Sequence, residues 1–444
     1  MNKCITIAFH TLGCKVNQVE TEQMMEKFQL QGYQVVDFGD PADIYIINTC
    51  TVTHISDRKS RALLRRAVRN NPGAMVVATG CAAELAREQL AEIEGLGLIV
   101  GNQGKDSIVE LVENLLGKRP GGPSDCELQC AHPRQMMPVL FAGPHERTRG
   151  FIKIQDGCQS FCSYCIVPFA RGPLQSKSPV DVQAEFRHML NLGYREIVLT
   201  GIHTGMYGAD LTDWDLTGLV ESLLVSNKGE FRIRLSSIEP GEWHDDLLDL
   251  IATESRICRH FHIPLQSGSD RILASMRRGY NREQYRQLLS RIARLIPGAV
   301  FTADVMVGYP TETEADFQDT YNLLAELPVL ELHVFKYSPR AGTIAAGMQP
   351  QVEARVKQAR SQMLLQLSQQ KKRNYLRGLV GQEVTVLVER RLYDNFYAGL
   401  SDDYVEVRMA SEIDLVGKLV KVLVTTAEDE YVRGTPSTLA GPAI

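Results

Sequence analysis

The sequence predicts an α/β chain in three parts: an N-terminal parallel-sheet domain, a central partial (β/α)6 barrel and a small C-terminal all-β barrel. Three observations predict it. Residues 1–117 and 148–350 each alternate short apolar runs with amphipathic stretches of helical period. A Pro- and Gly-rich break at 118–147 separates them. Beyond a long helical stretch at 351–377, the pattern changes at 378–444 to short β-type runs punctuated by Gly, Asp and Asn. A chain of 444 residues is long enough for about three domains.

In the first part, strands are expected at 5–10, 44–48, 75–79 and 96–100, with helices at 19–30 and 56–70. Strands that alternate with helices form parallel sheets, because each crossover lays a helix on a sheet face. Such sheets carry functional groups just past the carboxyl ends of their strands. The break at 118–147 reads as a linker; it contains Cys126 and Cys130 as Cys-x3-Cys, with no third ligand nearby. In the second part, strands are expected at 151–155, 196–200, 232–235, 260–263, 300–306 and 330–335, with helices such as 282–295 and 314–325 between them. Six units of this kind fit an open barrel with its chemistry at the strand carboxyl ends. The last part offers strands at 383–388, 397–400, 404–408, 419–425 and 431–433.

Composition narrows the function classes. Hydrophobic content is 44%, ordinary for a globular protein. There is no apolar run of membrane-spanning length and no signal-peptide pattern at the N-terminus, so a cytoplasmic protein is expected. Ten cysteines without an export signal point to a reducing compartment, where thiols bind metal or stay free. A net charge of −5 gives no global nucleic-acid signature, so any RNA contact must come from local patches.

The chemistry concentrates in cysteines. Cys158, Cys162 and Cys165 lie within eight residues, in a loop after the first barrel strand. Thiolate is a soft ligand for zinc, Cu(I) or iron–sulfur. Structural zinc closes with four protein ligands, usually in two pairs, and no second pair follows. A [4Fe–4S] cluster held by three cysteines leaves one iron open to chelate a substrate. The plainer reading is three unrelated buried thiols. A second set, Cys14, Cys50 and Cys81, follows three expected parallel strands. Strand-end placement brings them to one sheet edge if the strands are neighbours; spacing alone leaves convergence open. Gly13 and Gly80 beside two of them permit tight turns and close approach to a bulky group.

The Gly-Cys-x3-Cys-x2-Cys stretch resembles the radical S-adenosylmethionine (SAM) signature. Together with Thr-Leu-Gly-Cys-Lys-Val-Asn (11–17), Asn-Thr-Cys-Thr-Val-Thr (48–53) and Thr-Gly-Cys (79–81), it is similar to the radical SAM methylthiotransferase family over nearly the whole chain. His-Thr-Leu-Gly-Cys-Lys-Val-Asn, Arg-Lys-Ser-Arg (58–61) and Leu-Thr-Gly-Ile-His-Thr-Gly (199–205) resemble the branch acting on N6-threonylcarbamoyladenosine at tRNA position 37.

The resemblance implies two [4Fe–4S] clusters and SAM as cofactors. The radical cluster would sit on the catalytic cysteines Cys158, Cys162 and Cys165, and an auxiliary cluster on Cys14, Cys50 and Cys81. Tyr164 would lie beside the adenine of SAM. The central barrel would be a radical SAM core and the C-terminal barrel a TRAM-like RNA-binding domain. The implied partners are a tRNA anticodon loop and a reductant. The implied reaction is methylthio transfer to C2 of the adenosine. Isopentenyl-adenosine tRNA and a ribosomal-protein aspartate are alternative targets of the same chemistry. A non-catalytic RNA-binding protein with structural zinc is the alternative from another class.

Other candidates follow from strand ends. Gly201 and Gly205 lie in a glycine-bearing loop fit for the methionyl part of SAM. Glu239 is a candidate for its ribose, the competing role being a helix cap from Ser236 or Ser237. Gln266 and Gly308 close later strands. Arg171 suits an anionic group or a surface ion pair. For RNA, Arg58, Arg61, Arg65 and Arg69 are spaced three, four and four, so they share one helix face. Like charges at that spacing repel, which favours a neutralising polyanion. The 352–377 helix is a second basic candidate. Residues 378–436 hold more acidic than basic side chains, so Tyr393, Phe396, Tyr397 and Tyr404 are expected to stack bases or to fill the barrel core.

Overall fold

A computed structural model describes residues 4–117 and 148–438. The expected linker, with Cys126 and Cys130, lies outside the described residues. The chain divides into two compact units. One holds the N-terminal sheet with Asp156–Leu174 and Ser338–Ala346. The other holds the barrel strands, the long helix and the C-terminal strands. The segment bearing Cys158, Cys162 and Cys165 therefore belongs with the N-terminal sheet.

The N-terminal sheet is parallel, with β1 (Thr6–Thr11), β2 (Gln34–Val36), β3 (Ile44–Thr49), β4 (Met75–Gly80) and β5 (Leu98–Val100) in the order β2-β1-β3-β4-β5. Strand alternation divides its residues between two cores. Ile7, Ile44, Ile46 and Val77 pack with Met24 and Phe28 of α1 (Lys15–Leu30) and with Ile108 and Val112. Ala8, Tyr45, Ile47 and Ala78 pack with Leu63, Leu64 and Ala67 of α2 (His54–Asn70). Thr53 caps α2, its hydroxyl oxygen accepting from Ser56 N–H at 3.1 Å. The sequence reading missed β2. It is three residues long, at the sheet edge and only partly buried, so it shows no apolar run.

In the second unit, six strands form two parallel three-stranded sheets in sequential order. Arg149–Lys153, Glu196–Thr200 and Arg232–Leu235 make the first; His260–His262, Val300–Val307 and Val329–Lys336 make the second. An isolated parallel bridge, Ile233 to Ile257, links them. This is the expected open six-strand barrel.

The C-terminal strands Glu383–Tyr393, Phe396–Ser401, Glu406–Ala410, Leu419–Ala427 and Val432–Thr438 close into a barrel. Its core contains Val386, Val388, Val407, Met409, Val420 and Val422. Tyr397 belongs to that core. Tyr404 stacks on His260 (centroids 5.0 Å apart) with the Arg234 guanidinium 4.6 Å from its ring centre. Tyr393 alone of the four candidate aromatics is well exposed, and it stacks on Phe396. Base stacking by all four is therefore ruled out by their placement: Tyr397 and Tyr404 are spent on packing.

The small barrel is pinned to the larger one by buried arginines. Arg232 donates to the Thr385 and Leu400 carbonyls at 2.9 and 2.8 Å; Arg234 donates to those of Asp402 and Ser401 at 2.8 and 3.1 Å. Both guanidiniums also grip Glu196. Burial by itself would raise the Glu196 pKa, but Arg234 and then Arg232 outweigh it and hold the carboxyl at about 2. The long helix, Ala354–Gly378, uses much of its charge internally. Arg360 pairs with Glu314 at 3.0 Å, Lys371 donates to the Leu327 carbonyl at 2.6 Å, and Lys372 pairs with Glu430 at 3.1 Å. It is less a bare basic face than its composition implied.

Candidate metal centres and cofactor site

The two cysteine sets arise from different local structure. The register of the N-terminal sheet pairs Thr11 with Asn48 and Thr49 with Gly80. Neighbouring strands β1, β3 and β4 thus end side by side, and Cys14, Cys50 and Cys81 follow them. Gly13 and Gly80 take positive φ, +106° and +94°. A Cβ on Gly13 would lie 2.9 Å from Cys50 Cβ and 3.1 Å from its Sγ, so only glycine leaves room there. Asn102 Nδ2 lies 3.7 Å from Cys81 Sγ. Ser60 Oγ accepts from Cys50 N–H at 3.1 Å and donates to its carbonyl at 2.9 Å, fixing that backbone. Cys14 is exposed, whereas Cys50 and Cys81 are buried. Surrounding protein pushes the Cys14 and Cys50 thiols up; for Cys14 the Arg171 guanidinium acts in the opposite sense. Three soft donors at one sheet edge, with a glycine gap and an amide directed at sulfur, fit a cluster with an open position.

A buried charge network underlies this edge. Arg171 was expected at the surface or on an anionic ligand. Instead its side chain is 1% exposed. It donates to Glu20 Oε1 at 2.9 Å, to Asp156 Oδ1 at 3.0 Å and to Asn17 Oδ1 at 2.5 Å. Lys105 donates to Glu20 Oε2 at 2.5 Å. Burial opposes the guanidinium charge, but Asp156 and then Glu20 hold Arg171 protonated well beyond its ordinary range. Asn17 also donates to the Leu12 and Thr49 carbonyls at 2.8 and 3.1 Å. Asn17 is the last residue of the 11–17 motif, but Glu20, Asn102 and Lys105 lie outside every motif, and nothing in their local pattern distinguishes them from surface polar residues.

Cys158, Cys162 and Cys165 are partly exposed on a curled loop. Cys158 N–H donates to the Gly172 carbonyl at 3.1 Å, closing the loop at its base, and Cys165 N–H donates to the Cys162 carbonyl at 2.9 Å. Phe161, between two of the cysteines, takes a φ of +44°. Tyr164 is half-buried on the same loop.

In the other unit, the structure brings Gly201, Gly205, Glu239, Gln266 and Gly308 to the carboxyl ends of successive barrel strands, on one rim. Gly201 abuts Gln155, whose Oε1 accepts from His203 N–H at 2.7 Å. A Cβ on Gly205 would meet Glu242, and one on Gly308 would meet Lys357. These two glycines make room for the protein's own side chains. Glu239, rather than Ser236 or Ser237, caps the turn at Pro240–Glu242, and it also pairs with Arg278. Burial raises its pKa against the pull of Arg278. Gln266 has a φ of +62° and exchanges backbone hydrogen bonds with the Val300–Val307 strand.

Arg58, Arg65 and Arg69 are exposed on α2, as the periodicity predicts. Arg61 is more engaged: it pairs with Asp57 at 3.4 Å and donates to Gln89 at 2.9 Å.

Comparison with known proteins agrees with these features. The radical SAM superfamily matches residues 152–324, and the Uncharacterized protein family UPF0004 matches residues 6–101. The threonylcarbamoyladenosine tRNA methylthiotransferase of Bacillus subtilis is 39% identical over 97% of this chain and 96% of its own length. That of Aquifex aeolicus is 39% identical over 94% of this chain and its whole length. The tRNA-2-methylthio-N(6)-dimethylallyladenosine synthase of Moorella thermoacetica is 33% identical over 97% and 98%. Among solved structures, the radical SAM methyltransferase TsrM from Kitasatospora setae shares the fold, with a TM-score of 0.58 at 15% identity over 77% of each chain. The chain belongs to the radical SAM tRNA methylthiotransferases, transferases that work with S-adenosylmethionine and two [4Fe–4S] clusters.

Proposed function

We propose that the protein converts N6-threonylcarbamoyladenosine at tRNA position 37 to its 2-methylthio derivative, in the cytoplasm, on the anticodon loop. The observation that carries the choice of adenosine is identity. Two relatives named for the threonylcarbamoyl substrate are 39% identical, above the 31–34% of those named for the dimethylallyl one; three others named for the threonylcarbamoyl substrate are 31–33% identical. Cys158, Cys162 and Cys165 hold the radical cluster, and Cys14, Cys50 and Cys81 the auxiliary one. When bound, these clusters supply reductive cleavage of SAM, with an electron from an external reductant, and the sulfur that is methylated and inserted at C2. The protein's part is to hold the two thiolate sets on separate elements and to position SAM, with Gly201, Gly205, Glu239, Gln266 and Gly308 its contacts along the barrel rim. Arg171 and Lys105 set positive charge beside the auxiliary thiolates. The domains so used are 1–117 for the auxiliary cluster, 148–350 for radical chemistry and 378–444 for RNA.

The test is nucleoside mass spectrometry after reaction with two tRNAs. Product is expected from tRNA bearing threonylcarbamoyl-adenosine and none from tRNA bearing isopentenyl-adenosine. Equal activity, or activity on the second alone, overturns the substrate and leaves the reaction class standing.

In addition to the 378–444 domain, phosphate contact is assigned to the exposed face of α2. Reversing Arg65 and Arg69 (Arg65→Glu, Arg69→Glu) removes two phosphate partners and should flatten the dependence of log K on log salt by about two contacts' worth. SAM cleavage without tRNA should be unchanged. An unaltered salt slope would reduce the face to a solvated one.

A further inference from the structure

We infer that His262, Asp304 and His333 form a binding site for one divalent transition-metal ion of the zinc class, on one face of the second three-stranded sheet. The three residues sit on three adjacent parallel strands. Register pairs His262 with Thr302 and Asp304 with His333, and partners across a parallel ladder share a face. The intervening Ala303 and Val305 are fully buried on the opposite side. Asp304 Oδ1 lies 3.2 Å from His262 Nε2 and 3.2 Å from His333 Nδ1. All three donor atoms fall within 4.8 Å of one another.

Imidazole nitrogen and carboxylate oxygen bind zinc at roughly 2.0–2.2 Å, which sets neighbouring donors about 3.0–3.5 Å apart. The two carboxylate–imidazole separations already meet that requirement. The imidazoles are nearly parallel, 5.1 Å apart at 27°. Thr302 Oγ1 lies 2.8 Å from His262 Nδ1, which fixes that ring and directs Nε2 at Asp304. A hydrogen-bonding partner on the far ring nitrogen is the usual support of a metal-bound histidine. Two nitrogens and one oxygen suit zinc, ferrous or manganous ions and discriminate against magnesium and calcium, which take oxygen donors. Side-chain exposures of 14%, 26% and 50% leave one side open, so a bound ion keeps a position for an oxygen donor in the barrel. None of the three belongs to either cluster-ligand set, so cluster assembly and this site can be tested separately.

The experiment uses the full chain with both clusters reconstituted. After incubation with Zn2+ and removal of unbound metal, zinc and iron are measured on the same sample. About one zinc per chain is expected, with cluster iron unchanged. Asp304→Asn and His333→Asn should each bring zinc to background at full iron content. His333 is half exposed, so its replacement leaves the fold intact even if Asp304→Asn does not. Wild-type protein that retains no zinc overturns the assignment. So does zinc that survives His333→Asn at full iron, because the ion would then be held elsewhere.

Discussion

Replacing Cys14, Cys50 and Cys81 together by Ala is expected to halve the iron of the anaerobically reconstituted protein, from about eight to about four per chain. The remaining four belong to Cys158, Cys162 and Cys165. Their loop is closed by its own backbone, Cys158 N–H to the Gly172 carbonyl and Cys165 N–H to the Cys162 carbonyl. The variant should therefore still cleave SAM to 5′-deoxyadenosine under reduction, yet release no methylthio nucleoside. The converse triple variant should also lose half its iron, but with it all SAM cleavage. The geometry makes the first result sharp. Cys50 lies against Gly13, and Cys81 beside Asn102, so the thiols lie along one sheet edge and should be lost as one site. Iron that stays near eight in the first variant would remove the auxiliary cluster from these residues, and sulfur insertion with it.

Arg171→Met should destabilise the protein by about 3–5 kcal/mol, the usual cost of leaving buried charges without their partner. Arg171 is the cation shared by Glu20 and Asp156, and all three side chains are at most 4% exposed. After its removal Lys105 still pairs with Glu20. Arg171→Lys keeps the charge but loses the planar fork that serves Glu20, Asp156 and Asn17 at once, so it should recover only part of the loss. Because Asn17 ties the network to the Thr49 carbonyl next to Cys50, the auxiliary cluster should also be lost faster on exposure to air. Thermal unfolding and the rate of iron release measure the two effects. A melting temperature within a degree of wild type would show that the network is dispensable.

The basic face of α2 and the Cys158–Cys165 loop were legible because each is local. Helical period alone puts Arg58, Arg65 and Arg69 together, and eight consecutive residues hold all three loop thiols. The edge strand β2 was not legible, since three half-exposed residues carry no period. The role of Arg171 is not legible for a related reason. Its burial depends on Glu20, 151 residues away, and on Asn17, 154 away, and charge in a sequence says nothing about distant partners. Gly205 and Gly308 were assigned to a ligand from their position at strand ends, and that position is as expected. What fills the space beside them, Glu242 and Lys357, was invisible.

The sequence by itself determined the alternation of strands and helices, the six barrel strands, the two families of cysteine positions and the class of chemistry that soft ligands at those spacings permit. Only the tertiary structure decided that Cys14, Cys50 and Cys81 lie side by side, because that requires β1, β3 and β4 to be neighbours in register. It also decided that Arg171 is an internal ion-pair partner, and that His262, Asp304 and His333 share one sheet face. The physical reason is common to all three. Spacing along a chain fixes which side of a helix or strand a residue occupies. Which element packs against that side is set by long-range strand pairing and burial, and these are properties of the folded molecule.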